Sequence, residues 1–237
     1  YLPAYARAQW KSLFDHGFET YVRVILPKRA SYRRGGIGGF YRHREHMLVA
    51  KTIGMTLTHE FTHALHFADQ DALGQKHPIW VAEGLATLFE RSRLADGKLT
   101  PLPNRRLNRL QRIVAAKKSV PWSQMTQMDH PSFMRKASIA YPQVRYMMMY
   151  LYDRGLLKAW YDEYTRTWEK DKTGKAALET VLGMSLASAE EDWKSWVAKQ
   201  EAPPLRIRAN QPFIGVRTAP QPDGLKVLAV VPGSGAA

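Results

Sequence analysis

The 237-residue chain contains no cysteine. Disulfides, thiol nucleophiles and thiolate-held metals are excluded together, so any bound metal must be held by His, Asp or Glu. Apolar runs of the ~18 residues needed to span a bilayer are missing as well. Acidic residues are scarce: 21 Asp and Glu face 35 Lys and Arg, for a net charge of +14. A field of that sign favours acidic partners. The basic residues cluster at Lys28–Arg34, Arg42–His46 and Arg105–Lys118 without any nucleic-acid-binding motif. They read as solvated basic faces that attract acidic surfaces, not as a specific nucleic-acid site. Hydrophobic residues make up 45% of the chain, enough for one ordinary core. No internal repeat is present. The chain starts at Tyr1 and reads as a mature or excised piece.

The pattern along the chain begins mixed and becomes helical. Tyr5–His16 reads as a helix, and Glu19–Leu26 alternates like a strand that stops at Pro27. Gly35–Gly39 is a loose turn leading into an extended "FYRHREHMLVA". Helices are expected over about Thr52–Ala68, Pro78–Leu94, Asn104–Lys118, Pro142–Asp153, Leu156–Trp168, Lys175–Leu182 and Leu186–Lys199. After "APP" at residues 202–204 the composition shifts to short strands broken by Pro and Gly, a separate β-rich tail.

Chemistry concentrates in "LTHEFTHALHFAD", Leu57–Asp69. With His59 set at 0° on a helical wheel, His63 falls about 40° away and His66 about 20° to the other side. Ile53, Leu57, Phe61, Ala64, Leu65 and Ala68 occupy the opposite face. Residues four apart sit about 5–6 Å apart at Cβ, so the His59 and His63 rings can converge on one ion with bonds of about 2.0–2.1 Å. Glu60 then flanks the ion without binding it, as suits a general base acting on metal-activated water. His66 lies about 10 Å further along the axis than His59, too far to share the ion, and is expected to support the ligands or line the cleft. A catalytic site needs one more protein ligand. Glu83, in "PIWVAEGLATLFE", and Asp69, six residues after His63, are the two candidates. Glu83 has small neighbours, Gly84 and Ala86, that allow close helix packing, but Glu83, Thr87 and Glu90 equally fit a solvent-facing stripe.

"HEFTH" followed by "WVAEGLATLFE" resembles the gluzincin metallopeptidases, the thermolysin-like and aminopeptidase-like zinc enzymes. The likeness is closest to bacterial peptidase domains with a Trp-Val-x-Glu-Gly-Leu-Ala signature. It implies an α+β, zincin-like fold: a small N-terminal β-containing lobe with an edge strand, an active-site helix, and a mostly helical C-terminal lobe. It also implies zinc (Zn2+) held by His59, His63 and Glu83, with Glu60 as base and proton shuttle. Tyr141, before "PQVRYMMMYL", matches the tyrosine that hydrogen-bonds the oxyanion in aminopeptidase-type members; Tyr146 and Tyr150 are weaker matches. Ala82 stands where that subgroup often has Asn before the zinc-binding Glu, and no strand matches its amine-recognition motif. The edge strand, with Gly38, Gly39 and Phe40, would pair with the backbone of a peptide or protein substrate. The resemblance places the metallopeptidase domain at residues 1–202 and suggests an extracytoplasmic protein. "PFIGVRT" and "VLAVVPGSGAA" resemble the opening of a PDZ domain, so residues 205–237 are expected to form the N-terminal part of one. The alternative function is a catalytically inactive peptidase fold that, with the PDZ domain, only binds peptides. Charge alone motivates a third, a nucleic-acid binder.

Overall fold

The computed structural model describes residues 38–50 and 54–203, together with the strand backbones Arg23–Ile25, Val216–Gln221 and Gly224–Val230. The expected helix Tyr5–His16 lies outside the described residues. The chain divides into two units, Tyr1–Pro203 and Pro204–Ala237. The second contains an antiparallel hairpin, Val216–Gln221 with Gly224–Val230. Most of "PFIGVRT" and everything beyond Val230 fall outside the described residues.

The first unit is α+β and predominantly helical. Its sheet has strands β1 (Arg23–Ile25), β2 (Gly39–Arg42) and β3 (Met47–Ala50) in the order β1-β3-β2. β3 runs parallel to β1 and antiparallel to β2, so among the described residues β2 is an edge strand. The single extended segment expected after the glycines is instead two strands. A short 3-10 turn at His43–Glu45 and a left-handed His46, φ 43°, reverse the chain between them.

Helix α1 (Met55–Leu73) follows. Its apolar stripe, Leu57, Phe61, Ala64 and Leu65, is buried, as the periodicity requires. It packs on helix α2 (Ile79–Phe89), which packs in turn on α6. Here α3 is Arg106–Ala115, α4 Trp122–Met125, α5 His130–Arg135, α6 Ala137–Asp153, α7 Leu157–Thr167, α8 Lys175–Leu182 and α9 Leu186–Lys199. Among the described residues no helix is long and apolar enough to cross a membrane.

Two departures from the expected elements have clear causes. α2 stops at Phe89, and the residues expected to continue it form β4 (Ser92–Ala95), paired with β5 (Lys98–Pro101). The two-residue turn between them is Asp96–Gly97, φ 50° and 71°, the Asp-Gly signal of a tight hairpin. α6 starts at Ala137, five residues before Pro142. Pro142 lacks the N–H that would bond the carbonyl of residue 138, but Ser138 is exposed and water can satisfy it.

Two close approaches position the cleft. A Cβ at Gly39 would lie 2.5 Å from the Val49 carbonyl oxygen and 2.8 Å from Thr56 Cγ2. The glycines therefore let the strand seat closely against β3 and the start of α1. A Cβ at Gly84 would lie 2.9 Å from both Cγ and Cε of Met148. This contact presses α2 onto α6 one residue after Glu83.

Candidate functional site

The loop joining α1 to α2 is pinned by polar contacts. The His77 N–H donates to Gln70 Oε1 at 2.7 Å, and Gln75 Nε2 donates to the Thr165 carbonyl at 2.8 Å. That orientation leaves Gln75 Oε1 to accept from His77 Nε2–H at 3.0 Å. His77 Nδ1 is then an acceptor, and His66 Nε2–H donates to it at 2.8 Å. Both rings are neutral in this chain of bonds. Burial lowers the His77 pKa to about 3, and burial with its neighbouring imidazoles lowers that of His66 further below its usual value. His66 is fully buried and does not line the cleft, contrary to the wheel's suggestion. It ties the second half of α1 to the entry of α2.

That tie brings the facing sides of the two helices together. His59 Nε2 lies 3.2 Å from His63 Nε2, and 3.4 Å from Glu83 Oε2. His63 Nε2 lies 3.7 Å from Glu83 Oε1. One donor atom from each residue falls within 4.8 Å of the others, the grouping expected for holding a metal ion. Bonds of about 2.0–2.1 Å in a tetrahedron give an edge of about 3.3–3.4 Å; the spacings of 3.2–3.7 Å lie near it, with the two imidazoles measured to different oxygens of Glu83. Glu83 Oε2 is buried with no hydrogen-bond partner among the described residues, and His63 Nδ1 likewise.

The electrostatics agree with a site that calls for positive charge. Two imidazole nitrogens 3.2 Å apart cannot both present lone pairs to each other without a cation or a proton between them. Burial alone would lower His59; the carboxylates of Glu83 and Glu90 overcome it and raise its pKa to about 9. Burial lowers His63 to about 4. Burial would raise the Glu83 carboxyl, but the two imidazoles outweigh it and hold Glu83 below the ordinary value.

Asp69, the rival ligand, is not in this group. α1 continues unbroken to Leu73, so no turn carries Asp69 back to the two histidines, and the Tyr161 hydroxyl donates to Asp69 Oδ2 at 2.6 Å. Glu60 is buried beside the cleft and accepts a hydrogen bond from the Tyr41 backbone N–H on the edge strand. Burial, opposed by His59 and reinforced by Glu83, raises its pKa to about 7. The cleft is open on both sides of His59 and Glu60. Gly38 and Gly39 line one half, Phe40 the other, and Tyr141 borders both. Burial and then the Glu83 carboxylate raise the Tyr141 pKa, so its hydroxyl stays protonated and able to donate. Tyr146 and Tyr150 lie elsewhere, bonded to Asn104 and Asp192.

Glu90 was legible only as part of a surface stripe, and it is buried. Its Oε2 lies 3.5 Å from His59 Nδ1, the ring nitrogen facing away from the candidate ion. A carboxylate in that place fixes the tautomer and orientation of a ligating histidine. Asn104 Nδ2 donates to Glu90 Oε1 at 2.9 Å, and Arg106 and Arg145 approach at 3.3 and 4.0 Å. The signal available in the sequence was spacing: Glu90 stands seven residues after Glu83, two helical turns along the same face.

No family model, curated protein or solved structure matches this chain.

Proposed function

We propose that the chain is a zinc-dependent peptidase of the gluzincin type, with zinc held by His59, His63 and Glu83. The observation that carries this reading is the set of donor spacings, 3.2–3.7 Å between atoms supplied by two different helices, with Glu60 beside them and an edge strand along the cleft. Zinc held there would supply a Lewis acid and lower the pKa of a coordinated water.

Glu60 takes a proton from the attacking water and returns it to the leaving amine. Tyr141, with its hydroxyl protonated, donates to the carbonyl oxygen as negative charge develops on it. Gly38, Gly39 and Phe40, at the start of β2 and lining the cleft, align an extended peptide by main-chain hydrogen bonds. In this reading the first unit is a zincin-like peptidase domain, and the hairpin of the second is part of a PDZ-like peptide-binding unit.

The Glu60→Gln substitution tests the proposal. The variant should retain one zinc per chain by elemental analysis and lose about 10²–10⁴-fold in turnover of a mixed peptide library. Equal hydrolysis by parent and variant refutes the assignment of Glu60. Stoichiometric zinc with no cleavage by either protein points instead to a peptide-binding module without chemistry.

A further inference from the structure

The cleft has two unlike halves. One, of about 410 Å³, has Phe40, Phe67, Ile79 and Ala82 on its walls, with His130 at its border, and offers an apolar side chain more contact than the other half does. The other, of about 430 Å³, carries Thr56, Glu60, Glu90 and Arg106, its two carboxylates on the metal side. Among the described residues Arg106 is the only Lys or Arg lining that half, beside His59, and two neighbours hold it in place. Its Cζ lies 5.6 Å from the centre of the Tyr141 ring, and its Nη2 lies 3.3 Å from Glu90 Oε2.

The charge on Arg106 is only partly compensated. Glu90 divides its carboxylate among His59, Asn104, Arg145 and Arg106. Arg106 Nη1 is itself buried and has no hydrogen-bond partner among the described residues, while the side chain as a whole is 34% exposed to the cleft and solvent. The surroundings add positive charge. From Asp96 to Asp129 the chain contains no acidic residue between these two, while Arg105, Arg109, Arg112, Lys117 and Lys118 lie close to Arg106 in sequence. Arg109 and Arg112 are exposed along α3, and with Lys118 they border a separate depression of about 390 Å³. The positive field therefore runs from the cleft wall outward along one helix, where low-dielectric walls strengthen it.

We propose that the Arg106 half of the cleft binds a carboxylate of the substrate. Resting on the peptidase reading above, this defines the substrate class as peptides with an acidic group on one side of the cleaved bond and an apolar side chain on the other. Arg106 suits the role because its guanidinium lines the cleft, remains about a third exposed, and carries donors beyond the Nη2 that faces Glu90, so it can take a second carboxylate as well. The carboxylate can come from an internal Asp or Glu side chain or from a free C-terminus.

The test uses the full chain and matched peptides that differ only in Asp/Asn or Glu/Gln, each with a C-terminal acid or amide. Zinc-loaded protein gives kcat/KM by mass spectrometry. The Glu60→Gln protein gives Kd by fluorescence anisotropy. Wild type should favour the acidic member by about tenfold or more in both readouts. The ratio should collapse to near one in Arg106→Gln and survive in part in Arg106→Lys. Ratios are compared because Arg106 also touches Glu90, and a general loss cancels from them. A preference that follows the Asp/Asn change assigns an internal acidic residue; one that follows the acid/amide change assigns the C-terminus. Equal handling of acidic and neutral peptides, or a preference unchanged in Arg106→Gln, overturns the proposal. If no peptide is cleaved the peptidase reading falls, while the anisotropy ratio still decides whether Arg106 binds a carboxylate.

Discussion

Replacing Glu90 with Gln separates two jobs that the structure gives to one carboxylate. The substitution keeps shape and an oxygen for Asn104 and removes only the charge. The first loss is structural. Arg145 is completely buried, and its Nη1 lies 4.0 Å from Glu90 Oε1. At that distance the gross attraction is about 4 kcal/mol for an effective dielectric near 20. Removing one partner of a buried pair costs about 3–5 kcal/mol. Arg145 keeps its bonds to the Leu88 and Leu102 carbonyls, at 3.0 and 2.6 Å, so the expected cost lies at the lower end, about 3 kcal/mol. For a chain of this size that is a fall in Tm of about 6–12 °C.

The second loss concerns the ion. With no carboxylate 3.5 Å from Nδ1, the His59 ring is free to take the other tautomer or to rotate, and zinc affinity should fall by about 10–100-fold. Competition against a chromophoric chelator at neutral pH measures it. Arg145→Met is the control: it should lower Tm while leaving zinc affinity near the wild-type value, because Glu90 still faces His59. If Glu90→Gln binds zinc within about twofold of wild type, the orienting role is refuted, whatever happens to Tm.

Two further predictions follow from the neighbouring packing. The folded protein holds His66 and His77 neutral, with pKa values below those of the unfolded chain, so below about pH 6.5 the unfolded state takes up protons that the folded state refuses. Stability from these residues is complete above about pH 6.5 and falls as pH drops toward about 3, by up to about 1.4 kcal/mol per pH unit for each histidine. Urea unfolding of His77→Gln should therefore show a shallower loss than wild type between pH 6 and 4.5, and parallel curves would contradict the assignment. Gly84→Val drives a branched side chain into Met148 and should cost about 3 kcal/mol, with a drop in zinc stoichiometry because Glu83 is displaced with its helix; normal stability and full zinc loading would show that the α2–α6 contact is looser than described.

The parts of this molecule that could be read from sequence are those set by local periodicity. His59 and His63 share one face because a helix repeats every 3.6 residues, with Glu60 about 100° round from His59, and the buried stripe opposite the histidines follows from the same repeat. Lys175–Leu182 and Leu186–Lys199 were legible with their bounds, since Gly183 and Ser185 punctuate the chain between them. What could not be read depends on partners distant in sequence. A wheel places Glu83 and Glu90 on one stripe but cannot say whether that stripe meets water or another helix. Tyr141 was expected to precede a helix because proline favours the first turn, yet the turn from His130 to Lys136 starts the helical path earlier, with Asp129 capping the Ser132 N–H at 2.8 Å.

The α1–α2 loop shows how the two kinds of information combine. A pair of histidines on one helix is only half a coordination set, and the missing donor must come from an element whose placement the pair does not control. Here His66, one turn beyond His63 and on the buried side, bonds His77 just before α2 begins. The helix that supplies two candidate ligands thus also fixes, through its next histidine, the start of the helix that supplies the third. Gly84 then lets that helix sink onto Met148, which sets its depth. Geometry at the Glu83 oxygens is therefore governed by two contacts that involve none of the three candidate ligands, one polar at the head of α2 and one steric in its middle. Disturbing either should shift the donor spacings before it unfolds the chain, so zinc affinity is expected to fall at temperatures where far-UV circular dichroism is still native.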